Sequence, residues 1–162
     1  MKNVLLALLL SLSFLGCSDE VVTPVESKVV VGGSLESLKL NDQFEKPQKI
    51  SADTKKVIFA FSKDMGHMSN EFFAKQGENY LADHKAIFIA DVSGAPSLVR
   101  SIFIMPGLKD FKHSVLVIED KSVAAAYRVD AHKEEIMVLD INNFIIEKIS
   151  YVSTEAALAK AL

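Results

Sequence analysis

Three unbroken apolar runs constrain the fold most: Val57-Ile58-Phe59-Ala60-Phe61, Ala86-Ile87-Phe88-Ile89-Ala90 and Val115-Leu116-Val117-Ile118. A strand with one wet face alternates apolar and polar residues, so runs without alternation fit strands covered on both faces. Helical periodicity fills the gaps between them. Asp64 to Lys85 repeats Met65, Met68, Phe72, Tyr80 and Leu81, with Asp64 or Ser69 placed to cap its start. Ser93-Gly94-Ala95-Pro96 opens a second helix, with Leu98, Val99, Ile102, Phe103 and Met105 as its inner stripe and Pro106-Gly107 as its stop. Strands alternating with helices predict an α/β fold with a central, mostly parallel sheet and helices on both faces.

The flanks add antiparallel pieces. Leu38 to Ile50 alternates around the Asn41-Asp42 pair and predicts a leading β-hairpin. Ser122 to Val129 satisfies both helix and strand patterns and is read as a helix. Ile136 to Asp140 and Phe144 to Ile149 flank Ile141-Asn142-Asn143, which predicts a C-terminal antiparallel hairpin, and Ser153 to Leu162 closes the chain as a helix.

At the other end, Met1-Lys2-Asn3 and the apolar Val4 to Gly16 read as a secretory signal peptide, residues 1–16. Phe14-Leu15-Gly16-Cys17 resembles a bacterial lipobox, although Phe14 and Leu15 replace its usual Leu and small residue. The resemblance implies lipidation of Cys17 and a tether over residues 17–33; Lys28 to Val31 read as an added edge strand, and the folded domain is expected over 34–162. The expected location is the periplasm, anchored to a membrane through the lipid, with Ser18 favouring the outer membrane. The alternative is an unlipidated periplasmic protein. Cys17 is the chain's single cysteine, which excludes an internal disulfide and a cysteine metal cage. Losing Lys2 with the signal leaves 17 basic against 21 acidic residues, a charge of −4, so nucleic acid is not an expected partner.

The order of elements resembles the thioredoxin-like fold in its redoxin or peroxiredoxin elaboration. Asp140-Ile141-Asn142-Asn143-Phe144-Ile145-Ile146 is similar to the Asp-Lys-Asp-Gly-Lys-Ile hairpin of redoxins, and Ser122 to Val129 to the short helix before it. The likeness covers Leu38 to Leu162 and extends to the YtfJ-like periplasmic proteins. Such families carry Phe-x-x-x-x-Cys-x-x-Cys after the first central strand. Laid on Phe59 to His67, the two cysteine positions fall on Asp64 and His67, and no proline follows Pro106 to serve as the facing cis-proline. The resemblance therefore implies the fold without dithiol oxidoreductase or peroxidase activity.

The candidate binding loop is Ser62, Lys63, Asp64, Met65, Gly66 and His67, where the first central strand meets a helix N-terminus. Asp64 reads as an N-cap, or as an anion held by the helix amides. Met65, His67 and Met68, with Met105 or His113 brought close by the fold, have the soft donors that suit copper(I). The competing reading packs both methionines inward and leaves His67 in water. His84, His113 and His132 share no ligand spacing and read as surface residues. Ser62 lacks the glycines of a nucleophile elbow, and Val31-Gly32-Gly33 lacks the lysine of a phosphate loop. The expectation is an envelope lipoprotein whose domain binds another envelope component and needs no cofactor. Copper handling is the alternative, and an enzyme of unrecognised type comes third.

Overall fold

The computed structural model describes residues 27–162; the signal segment, Cys17 and the tether up to Glu26 lie outside the described residues. The three apolar runs become β3 (Lys56–Ala60), β4 (Ala86–Asp91) and β5 (Leu116–Ile118), mutually parallel. The predicted hairpins are β1 (Lys39–Asp42) with β2 (Pro47–Lys49), and β6 (Ile136–Asn142) with β7 (Ile145–Val152). The first hairpin does not turn at Asn41-Asp42 as expected: both are strand residues, and the chain reverses over Gln43 to Lys46, with Glu45 at φ 64°. All join one seven-stranded sheet in the order β2-β1-β5-β4-β3-β6-β7, parallel in its centre and antiparallel at both edges.

Because side chains alternate across a strand, each central strand feeds two cores. Val57 and Phe59 pack on one face with Leu35, Tyr127, Met137 and Leu139. Ile58 and Ala60 pack on the other with Phe72, Phe73, Phe88 and Leu158. The second face is covered by α1 (Lys63–Gln76), α2 (Tyr80–Asp83), α4 (Met105–Lys109) and α6 (Glu155–Ala161), and the first by α5 (Lys121–Tyr127). The helical reading of 122–129 holds as far as Tyr127, beyond which Arg128 and Val129 are extended, and Asp120 caps α5 by accepting the Ser122 N–H at 2.7 Å.

Four further sequence expectations are corrected. The single helix over 64–85 is two, because Gly77 takes φ 102°, a left-handed value that ends α1. The turn of the last hairpin is Asn143-Phe144, both at positive φ (46° and 70°), one residue later than expected. Phe144 tolerates this because its ring packs on the first core and its carbonyl accepts the Leu35 N–H at 2.9 Å.

The third correction concerns the tether. Lys28 N–H donates to the Ala126 carbonyl and Gly32 N–H to the Ile146 carbonyl, both at 2.8 Å, and Ile146 N–H returns a bond to Gly33. Val29 is buried beneath this strap. The chain is therefore held to the domain from Lys28, and Lys28 to Val31 form a turn instead of an edge strand. A Cβ at Gly33 would sit 2.9 Å from the carbonyl oxygens of Lys28 and Val30, which is why glycine closes it.

Finally, the helix after β4 is not stopped by Pro106-Gly107. It runs as α3 (Ser97–Val99), a π-helical stretch (Arg100–Ile104) and then α4, which contains both residues. Met105 is buried as expected, but Leu98, Val99, Ile102 and Phe103 are exposed. A π-helix turns through a smaller angle per residue than an α-helix, so the stripe loses its alignment with Met105 and Leu108.

Candidate functional site

β3 is buried almost to its end and delivers the chain to Ser62, whose extended backbone (φ −120°, ψ 158°) starts α1. Ser62 Oγ accepts the Met65 N–H at 3.4 Å and its carbonyl accepts the Gly66 N–H at 2.9 Å. Ser62 thus takes the capping role expected of Asp64 or Ser69. Asp64 lies exposed in the first turn, where its charge suits the amide end of the helix. Lys63 and His67 are exposed beside it.

The same geometry separates the soft donors. Met65 and Met68 are half-buried against the second core, whereas His67 points away from it into solvent. Met105 is buried in that core, and His113 meets α1 further along, at Asn70 and Phe73. Among the described residues no three of His, Cys, Asp and Glu converge as a metal-ligand group.

Register brings a second loop to the same end of the sheet as Ser62–His67. Ala60 pairs with Ile136, so the residues that leave β3 and those that enter β6 share one end of the sheet. There a short 3-10 turn (Asp130–His132) sets His132 Nδ1 2.7 Å from Glu135 Oε1. The imidazole stacks on Tyr151 at 3.7 Å between ring centres, the ring planes nearly parallel at 11°. Burial, and then the Glu135 charge, push the Tyr151 hydroxyl above its ordinary pKa. The half-buried His132 and the aromatic platform under it were not legible as a site, since only the pairing of Met137 with Tyr151 brings them together.

His113 corrects the expectation of surface histidines most clearly: it is 2% exposed. Its Nε2 lies 3.0 Å from Asn70 Oδ1, an acceptor that suits a neutral ring carrying its proton on Nε2. Its carbonyl accepts the Gln43 amide at 2.8 Å, and Gln43 Oε1 accepts the Val115 N–H at 2.9 Å. Burial lowers the His113 pKa to about 4. His84 and His132 are half-buried. An open cavity of about 420 Å³ lies beside His113, between Phe73, Gly77, Glu78 and Lys112, at the C-terminal end of α1 and away from Ser62.

No protein-family model and no curated protein sequence matches the chain. Solved structures do. A protein from Bacteroides thetaiotaomicron assigned as a disulfide isomerase is 14% identical, with a TM-score of 0.54 over 85% of this chain and 89% of its own. StoA from Bacillus subtilis is 10% identical, at 0.52 over 76% and 94%. A peroxiredoxin-like protein from Aquifex aeolicus is 7% identical, at 0.51 over 85% and 91%. Likeness at such identities is likeness of fold, and it agrees with the β3-α1 unit and the β6-β7 hairpin described above. The chain has a thioredoxin-like fold.

Proposed function

We propose that this chain is a bacterial envelope lipoprotein, anchored at Cys17, whose redoxin-type domain has no dithiol chemistry and binds another envelope component through the Ser62–His67 end of the sheet. One observation carries the reading: the strand, loop and helix of a thioredoxin-like site are present, while Asp64 and His67 stand where the resemblance puts cysteines. In an open α/β sheet, ligands collect beyond the carboxyl ends of the parallel strands. Lys63, Asp64 and His67 are exposed there at a helix start, at the same end of the sheet as the half-buried His132 and Tyr151. The module needs no cofactor for binding and has no nucleic-acid partner. The YtfJ-like likeness and an outer-membrane destination rest on the motifs already described.

Crosslinking of the intact lipoprotein in its native envelope tests this. Lys63→Ala combined with His67→Ala should weaken partner capture more than Lys109→Ala or Glu147→Ala, with the melting temperature nearly unchanged. Capture that survives the double change but fails on substitution of Asn142 and Asn143 would move the binding face to the opposite hairpin. Fatty-acid labelling that depends on Cys17 tests the anchor. Stoichiometric copper(I) binding lost on His67→Ala with Met68→Leu would replace the binding reading with copper handling.

A further inference from the structure

The segment between β4 and β5 turns large apolar side chains to solvent. Leu98 is 69% exposed, Ile102 52% and Phe103 70%, with Val99 beside them. They stand at positions 98, 99, 102 and 103, within a turn and a half of α3 and the π-helical stretch, and so concentrate apolar surface of the kind that marks an interaction site. From Val92 to Lys109 the chain carries no acidic residue, and its charges are Arg100 and Lys109. Arg100 is fixed in place by a 2.7 Å bond from Nη1 to the Ala95 carbonyl, which holds a cation next to the apolar side chains.

We infer that this patch seats on the surface of an anionic phospholipid bilayer, the four apolar side chains entering the interface and Arg100 and Lys109 meeting the headgroups. The inference rests on the lipid anchor proposed at Cys17. Short helices with bulky apolar residues on one side and basic residues nearby are built for that boundary. The occupant follows from the length of the tether. Ten residue steps separate Cys17 from Ser27, where the described chain begins. Fully extended, they reach about 35 Å, which is about the width of a domain of this size. An anchored domain therefore never moves further from the bilayer than about its own diameter, and its apolar patch meets lipid at a high effective concentration. A soluble partner has no such advantage. Asp91 and Asp110 stand at the two ends of this segment, and between them no acidic side chain adds repulsion from an anionic surface.

The chain has no tryptophan, so Phe103→Trp introduces a single reporter. The full-length lipoprotein carrying it is reconstituted into vesicles of phosphatidylethanolamine and phosphatidylglycerol, with and without brominated phospholipid. Docking predicts a blue-shifted emission and at least threefold quenching by brominated lipid, with less than 1.2-fold for Glu147→Trp on β7. Leu98→Gln together with Ile102→Gln should return the reporter at position 103 to the level of the β7 control. Fatty-acid labelling of the same preparation reads the anchor separately. Labelled protein with an unquenched reporter overturns the docking and leaves the anchor standing. Unlabelled protein overturns the anchor, and quenching on addition of excess vesicles then decides the docking alone. A blue shift that grows with protein concentration in vesicle-free solution assigns the patch to a second copy of the chain and overturns the lipid occupant.

Discussion

His113 should make the domain sensitive to mild acid well above the pH at which carboxylates titrate. In the unfolded chain its imidazole takes a proton below its ordinary value of 6.5, whereas burial against Phe73 and Phe111 holds the folded value at about 4. A folded pKa below the unfolded one means that the stabilisation is fully present above 6.5 and is lost as pH falls towards 4. Each pH unit in that window costs up to about 1.4 kcal/mol, so the fall from pH 7.5 to 5.0 removes about 2 kcal/mol and the complete transition about 3 kcal/mol. Urea unfolding at the two pH values measures this directly. His113→Gln keeps an amide donor for Asn70 but cannot be protonated. The variant will be less stable at pH 7.5, yet the His113 share of the pH dependence should vanish. An equal fall of about 2 kcal/mol in wild type and variant would refute the assignment of the acid sensitivity to His113. Asp42 does not confuse the result. Burial raises its pKa, but bonds from the Lys46 and Phe44 N–H groups and from Gln48 outweigh this and leave it below 3.8, so its contribution is lost only at lower pH.

Ser69 Oγ is buried on α1 without a hydrogen-bond partner, so Ser69→Ala should stabilise the domain by about 1 kcal/mol, read as a rise of several degrees in melting temperature. Ser62→Ala removes the cap of α1 and should cost about 1 kcal/mol, with Ser62→Asn restoring most of it in the same urea titration. Phe73→Ala empties a wholly buried site at the centre of the second core, and its loss should be about 3–5 kcal/mol by the same measurement. The purified domain should leave insulin disulfides and hydrogen peroxide at background rates with any thiol reductant, since no second cysteine exists to complete a cycle.

The central architecture was legible because its signals are local and redundant. Val57 to Ala60, Ala86 to Ala90 and Leu116 to Ile118 are strands because nothing polar interrupts them, and the helices between them fix their parallel sense. What the sequence hid depends on long-range pairing. Val30 and Val31 look no different from residues of a loose tether, and only the reach of Gly32 and Gly33 to Ile146 secures the strap. His113 follows the mostly charged Lys109-Asp110-Phe111-Lys112, and the Asn70 and Gln43 groups that hold it in the interior stand 43 and 70 residues earlier. At the site, the Ser62–His67 loop could be read from strand and helix signals alone. Asp64 was misassigned as cap because Ser62 and Asp64 are both good capping residues, and the first helical residue decides between them. His132, Glu135 and Tyr151 were invisible as a cluster, since their meeting needs the β6-β7 register.

The two departures from the sequence expectations on α3 and α1 have a common physical sense. Pro106 has no N–H, so a helix crossing it leaves the carbonyl four residues earlier, that of Ile102, without its usual donor. Just upstream the bonding widens, and Met105 N–H reaches back five residues to Arg100. The wider turn lets Met105 and Leu108 keep their seats in the core while Leu98, Ile102 and Phe103 rotate away from it. At α1 the change is smaller but similar in kind: Ser62 satisfies the amide end, which releases Asp64 from capping and leaves it exposed beside Lys63 and His67. In both places a backbone requirement met by one residue turns others outward. The side chains so exposed are charged at the end of β3 and apolar after β4, so the two surfaces suit different chemistry. On the readings proposed above, a polar protein surface would meet the first and a lipid interface the second.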